Sequence, residues 1–177
     1  MAEMDLYNAQ FMDHVQNPDY RYEMDDPTHT HEGVNPTCGD ELVFSVRLGD
    51  DGVIEEAAFT GHGCAISQAS ADIMSDLVTG RSAEEARELC DIFKRMIRGE
   101  AAKDEIEQLD EAAILRDISH MPARVKCAEL AWRTLDEMLS GDGAGACGAD
   151  SPNTSSAAQR GLSEQAGNRP ASTDEEV

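Results

Sequence analysis

ELVFSVRL at 41–48, GDDG at 49–52 and VIEEAAFT at 53–60 read as one antiparallel hairpin. Both flanks are rich in strand formers, and the linker holds two glycines at hairpin spacing. The ends of this hairpin carry unusual chemistry. NPTCGDEL (35–42) places Cys38 and Asp40, with a glycine between them, at the entrance of the first strand. GHGC (61–64) places Cys64 at the exit of the second. Hairpin strands run antiparallel, so that entrance and that exit share one end of the sheet.

Downstream of the hairpin the apolar period changes. Ile66, Ala69, Ile73 and Leu77 recur at helical spacing, and Gly80 stops that helix. Ser82 and Glu85 form a capping box for a second helix. Ala86, Leu89, Cys90, Phe93 and Ile97 line its buried face, and Gly99 ends it. Residues 100–120 are polar and weakly periodic, with a short helix expected near 110–117. Pro122 suits the first turn of a last helix, whose stripe is Val125, Ala128, Trp132, Leu135 and Leu139. Upstream, Leu6, Phe11, Met12 and Val15 predict a helix over 4–15, and 17–36, with three prolines, reads as a loop or extended arm. Strands and helices are segregated, so the class is α+β, a small antiparallel sheet with helices on one face. The folded domain is expected over 1–140. Residues 141–177, rich in glycine, serine and alanine, are expected to form a disordered acidic tail.

The net charge is -22, and residues 1–140 hold 30 acids against 12 bases. Such a surface repels phosphate backbones, which excludes nucleic acid as a partner. The acidic, lysine-poor shell suits either a high-salt cytoplasm or a basic partner protein. No run of eighteen apolar residues spans a membrane. The N-terminal MAEMDLYNAQFMDHV has no signal-peptide pattern, so a cytoplasmic location is expected. Five cysteines, an odd number without a secretion signal, argue against a disulfide framework.

Cys127, near the start of the last helix, can cover the sheet end that holds Cys38, Asp40 and Cys64. Three thiolates and one carboxylate make a tetrahedral donor set for Zn²⁺. A buried cysteine is also a small apolar residue, and the separations of 26 and 63 positions match no short zinc-finger pattern. Both readings therefore stand for these three thiols. Cys90, on an apolar stripe, reads as packing, and Cys147, in the tail, as a bystander. His29 and His31 sit in a polar loop and His62 beside Cys64. His14 and His120 have no partner in the sequence, and none of the five reads first as a ligand.

NPTCGD (35–40), GHGCAISQAS (61–70) and RVKCAELAW (124–132) resemble the three cysteine motifs of the IscU/SufU branch of the NifU-like iron–sulfur cluster assembly family. The resemblance runs from about residue 5 to 140 and includes LYNAQFMDHVQNP (6–18). Lys126 stands where scaffold members usually carry histidine, and a long stretch separates the second and third motifs. Both features resemble the SufU-type zinc-dependent sulfurtransferases. The resemblance implies a three-stranded antiparallel sheet, with the third strand drawn from a segment read above as loop. It implies a Zn²⁺ site of Cys38, Asp40, Cys64 and Cys127, with Arg124 beside it. Cys38 would be the catalytic sulfur acceptor, with Arg124 assisting. It would take persulfide sulfur from a pyridoxal-phosphate-dependent cysteine desulfurase of SufS type and pass it to a downstream iron–sulfur assembly scaffold. The alternative is a scaffold that binds a transient iron–sulfur cluster itself.

Overall fold

The computed structural model describes residues 7–141. The expected tail and Cys147 lie outside the described residues. Helix α1 spans Ala9–Gln16, capped by Asn8, whose side chain accepts the Phe11 N–H. Three strands follow, β1 His29–Asn35, β2 Asp40–Leu48 and β3 Ile54–His62, in the order β1-β2-β3 and antiparallel throughout. Then come α2 Ala65–Val78, α3 Ala83–Met96, a single turn α4 Lys103–Glu107, a 3-10 segment Asp110–His120, and α5 Pro122–Leu139.

The hairpin forms as its turn chemistry requires. Glu41 faces His62 and Leu42 faces Gly61, and a bulge falls between Arg47 and Leu48. On β2 alternate side chains go inward: Leu42, Phe44 and Val46 are buried, while their neighbours face out. One face of the sheet is therefore covered by helices. The third strand, β1, comes from the second part of the segment read as loop. Its residues HTHEGVN bury only Gly33 and Asn35, so it carries no alternating apolar signal. It pairs with β2 from His29↔Val46 to Asn35↔Asp40. The rest of that segment is a strap. The Tyr20 carbonyl accepts the Phe59 N–H at 2.9 Å and so occupies part of the free edge of β3.

The capping box of Ser82 and Glu85 starts α3 as expected. Pro122 opens α5, where its missing N–H costs nothing. α5 packs against α2, α3 and β1, and so joins the helices to the sheet. It buries Cys127, Ala128, Leu130, Ala131, Trp132, Thr134, Leu135 and Met138, a wider face than the expected stripe, of which Val125 and Leu139 are only half-buried. Trp132 stacks on Phe93 of α3 at 4.1 Å, and its Nε1 donates to Ser70 Oγ of α2 at 2.9 Å. Gly33 lies against Thr134 and Leu130, so the lack of a side chain there lets β1 approach α5 closely. Cys90 is fully buried in this core, as a small apolar residue would be.

Candidate metal centre

The β1–β2 connection is a tight turn that presents Cys38. Its start, Asn35, accepts the backbone N–H of Cys38 at 3.3 Å and of Gly39 at 3.0 Å. Gly39 has φ +71, a left-handed conformation that favours glycine, and this reverses the chain between Cys38 and Asp40. Asp40 opens β2 and is fully buried. Cys127, in the second turn of α5, is fully buried and meets the turn from the other side. One ligand atom each from Cys38, Asp40 and Cys127 lies within 4.8 Å of the others. The Cys127 thiol reaches the Cys38 sulfur at 3.0 Å. Cys38 is half-buried, the outermost member of the trio.

Cys64, the fourth expected ligand, is beside this group and not within it. Its backbone N–H donates to Asp40 Oδ1 at 2.8 Å. Its sulfur is turned to the start of α2, where it accepts the Ser67 N–H at 3.4 Å as the helix N-cap. Arg124, exposed one turn before Cys127, places Nη1 3.9 Å from Cys38 Sγ.

The electrostatics of this cluster are those of anionic donors short of positive charge. Burial, together with Cys38, Cys64 and Asp40 close by, pushes the Cys127 thiol far above its usual range. Burial also opposes ionisation of Asp40. Hydrogen bonds from the Cys64 N–H, Cys127, Asn35 and Ser67 outweigh it and hold the carboxyl below its ordinary value. Arg124 is held more firmly protonated by its contact with Cys127 and by the three sulfurs. A thiol-and-carboxylate set with this mutual repulsion fits a divalent cation of borderline softness, which would turn the repulsion into attraction.

Sequence reading missed three supports. Asn35 Nδ2 donates to Asp40 Oδ2 at 3.0 Å and lies 3.4 Å from Cys127 Sγ. Ser67 Oγ reaches Asp40 Oδ1 at 3.1 Å. Arg21, in the strap, donates to the Gly61 carbonyl at 2.8 Å and to Gln68 Oε1 at 2.9 Å, which holds the turn before Cys64. Asn35 and Ser67 both lie within the quoted motifs, the only signal that pointed to them. Among the described residues no histidine joins the Cys38–Asp40–Cys127 group. His14 pairs with Asp72 and Glu111, His31 with Glu137, and His62 with Glu41.

Fold and site together define a class: small α+β domains that gather thiols and a carboxylate at one end of a three-stranded antiparallel sheet. The chain belongs to the family of the NifU-like N-terminal domain, whose model matches residues 6–128, and with it to the IscU/SufU iron–sulfur cluster assembly proteins. It is 39% identical over 134 residues to the iron–sulfur cluster assembly scaffold protein IscU of Thermotoga maritima, covering 76% of this chain and 92% of that one. It is 37% identical over 132 residues to the zinc-dependent sulfurtransferase SufU of Bacillus subtilis, covering 75% and 88%. A solved SufU structure from Fervidobacterium islandicum, described as a scaffold for the SUF system, superposes with a TM-score of 0.71 at 31% identity, covering 76% of this chain and 96% of that one. No helix among the described residues is long and apolar enough to cross a membrane.

Proposed function

We propose that this chain is a zinc-dependent sulfurtransferase that takes persulfide sulfur onto Cys38 from a cysteine desulfurase and hands it to iron–sulfur cluster assembly. The observation that carries this reading is the inequality of the three thiols. Cys127 is fully buried; Cys64 is half-buried like Cys38, but its sulfur is engaged at a helix start, whereas Cys38 stands on a turn beside a guanidinium. A group that must meet a partner's sulfur has to be both accessible and free of a capping role.

Cys38, Asp40, Cys64 and Cys127 would hold the Zn²⁺. Zinc, when bound, supplies the positive charge that keeps thiols ionised near neutral pH. Cys38 as thiolate attacks the outer sulfur of the partner's persulfide. The partner's S–S bond breaks, its electron pair leaves on the partner cysteine, and a new S–S bond forms on Cys38. No electron is gained or lost overall. Arg124 faces the negative charge at Cys38 before and after transfer, and the buried Asp40 and Cys127 stay in place. Lys126, immediately before Cys127, adds a cation where a histidine would add another donor.

The test is to incubate the chain with a cysteine desulfurase and cysteine, alkylate, and map the added sulfur by mass spectrometry. One extra sulfur on the Cys38 peptide is expected. Undiminished uptake by Cys38→Ala would remove Cys38 from this role. The second reading, a scaffold for a transient iron–sulfur cluster, is favoured by the IscU names of two relatives at 39% and 40% identity. It is tested by the same preparation: brown colour and visible absorbance after anaerobic purification support it, and stoichiometric zinc opposes it.

A further inference from the structure

Asp40 is fully buried, and its two oxygens are unequally occupied. Oδ1 accepts the Cys64 N–H at 2.8 Å and lies 3.1 Å from the Ser67 hydroxyl. That hydroxyl has one proton and a second acceptor, the Cys64 carbonyl at 2.9 Å, which already takes the Gln68 N–H. The carboxylate carries the larger charge and draws the proton. Each carboxylate oxygen offers about two lone-pair sites. Oδ1 is therefore full. Oδ2 accepts one N–H bond, from Asn35 Nδ2 at 3.0 Å, and its second site is the one left for the ion, the Cys127 thiol beside the carboxylate being itself a ligand in this reading. The same amide lies 3.4 Å from Cys127 Sγ, so it ties the carboxylate to a sulfur across the site. Asn35 is 3% exposed and Ser67 is 0% exposed, so water does not compete for either contact.

We infer that Asn35 and Ser67 are positioning residues that restrict Asp40 to a single donor atom, Oδ2, and so hold a bound ion at four ligands. This rests on the reading of Cys38, Asp40, Cys64 and Cys127 as metal ligands. A carboxylate free to turn can offer both oxygens to one ion and raise its coordination number. Here the turn is opposed, because Oδ1 would have to give up two hydrogen bonds, one buried and one part-buried. Donors behind the ligands thus decide how many bonds the ion receives.

The experiment uses cobalt(II) as the probe, added to the full chain, with zinc affinity measured by competition against a chromophoric chelator. Four-coordinate cobalt gives intense visible d–d bands, and a fifth donor weakens them. Asn35→Leu keeps the side-chain size without the N–H donors, and Ser67→Ala removes only the hydroxyl. Each is expected to weaken zinc binding by about 10–100-fold and to lower the d–d intensity, with sulfur-to-cobalt charge transfer retained. Ser67→Ala carries the test if Asn35→Leu disturbs folding, as judged by circular dichroism of the metal-free protein. Wild-type d–d intensity in the folded variants overturns the inference, even if affinity falls. Failure of the wild-type chain to take up cobalt overturns the ligand reading itself, which separates the two outcomes.

Discussion

At the scale of single residues, the sequence showed the reactive groups and hid their supports. Cysteine and aspartate at strand ends are conspicuous because neither helps to build a core there. Asn35 and Ser67 are types found in any turn or helix start, and only the coordinates show both aimed at Asp40. Two outcomes follow at this scale. Arg124 is exposed and its contact with Cys38 is long, so its effect belongs with solvent-exposed charge pairs, up to about 1 kcal/mol. Arg124→Met should therefore slow sulfur uptake by Cys38 by about two- to fivefold, and Arg124→Lys should restore part of it. A rate for the methionine variant equal to wild type would show that the guanidinium does not act on the sulfur. Gly61 has φ +105, and a Cβ there would fall on the Glu41 carbonyl of the paired strand. Gly61→Ala should cost about 3 kcal/mol in urea unfolding, from backbone strain plus overpacking. A loss below about 1 kcal/mol would mean that the turn before Cys64 is not tightly held.

At the scale of elements, legibility followed amphipathicity. The hairpin, α2, α3 and α5 each bury one recognisable face, and all four were readable. β1 was not, because an edge strand packed through a glycine and an asparagine has no hydrophobic alternation to detect. The resemblance to the family, and not periodicity, called for it. The segment over 110–120 was legible only in part, as a short helix near 110–117: a 3-10 helix repeats every three residues, so a period of 3.6 matches it weakly and its length and type do not show. These two elements matter to the site, since β1 leads into the Cys38 turn and the 3-10 segment leads into α5. Local capping, by contrast, was plain in the sequence and is testable alone. Ser82 Oγ accepts the Glu85 N–H at 3.2 Å, and Glu85 Oε2 accepts the Ser82 N–H at 2.9 Å. Ser82→Ala should lower stability by about 1 kcal/mol with no change in metal content. A change in metal content would mean that the start of α3 communicates with the sheet end.

At the scale of the whole molecule, charge was legible as a sum and not as an arrangement. His14 had no partner in the sequence, yet it joins three elements. From α1, its Nδ1 lies 2.7 Å from Asp72 Oδ2 of α2 and its Nε2 lies 3.1 Å from Glu111 Oε1 of the 3-10 segment. Asp72 also accepts the Tyr20 N–H at 2.8 Å, which attaches the strap at the same point. Burial opposes protonation of His14, but its hydrogen bonds to the two carboxylates outweigh this and raise its pKa above 6.5. A base whose pKa rises on folding stabilises the fold fully below its unfolded value and loses that contribution as pH climbs through the folded value. Asp72 is itself raised, by burial first, so its contribution is complete below 3.8 and is lost as pH climbs from there. The His14 contribution is the one lost above 6.5. Calorimetry at fixed ionic strength should show Tm falling as pH climbs above 6.5, and His14→Gln should flatten that slope. Ionic strength must be fixed because a net charge of -22 makes self-repulsion salt-dependent on its own. An identical slope in His14→Gln would place the titrating group elsewhere and leave the clamp between α1, α2 and the 3-10 segment as a neutral hydrogen-bonded one.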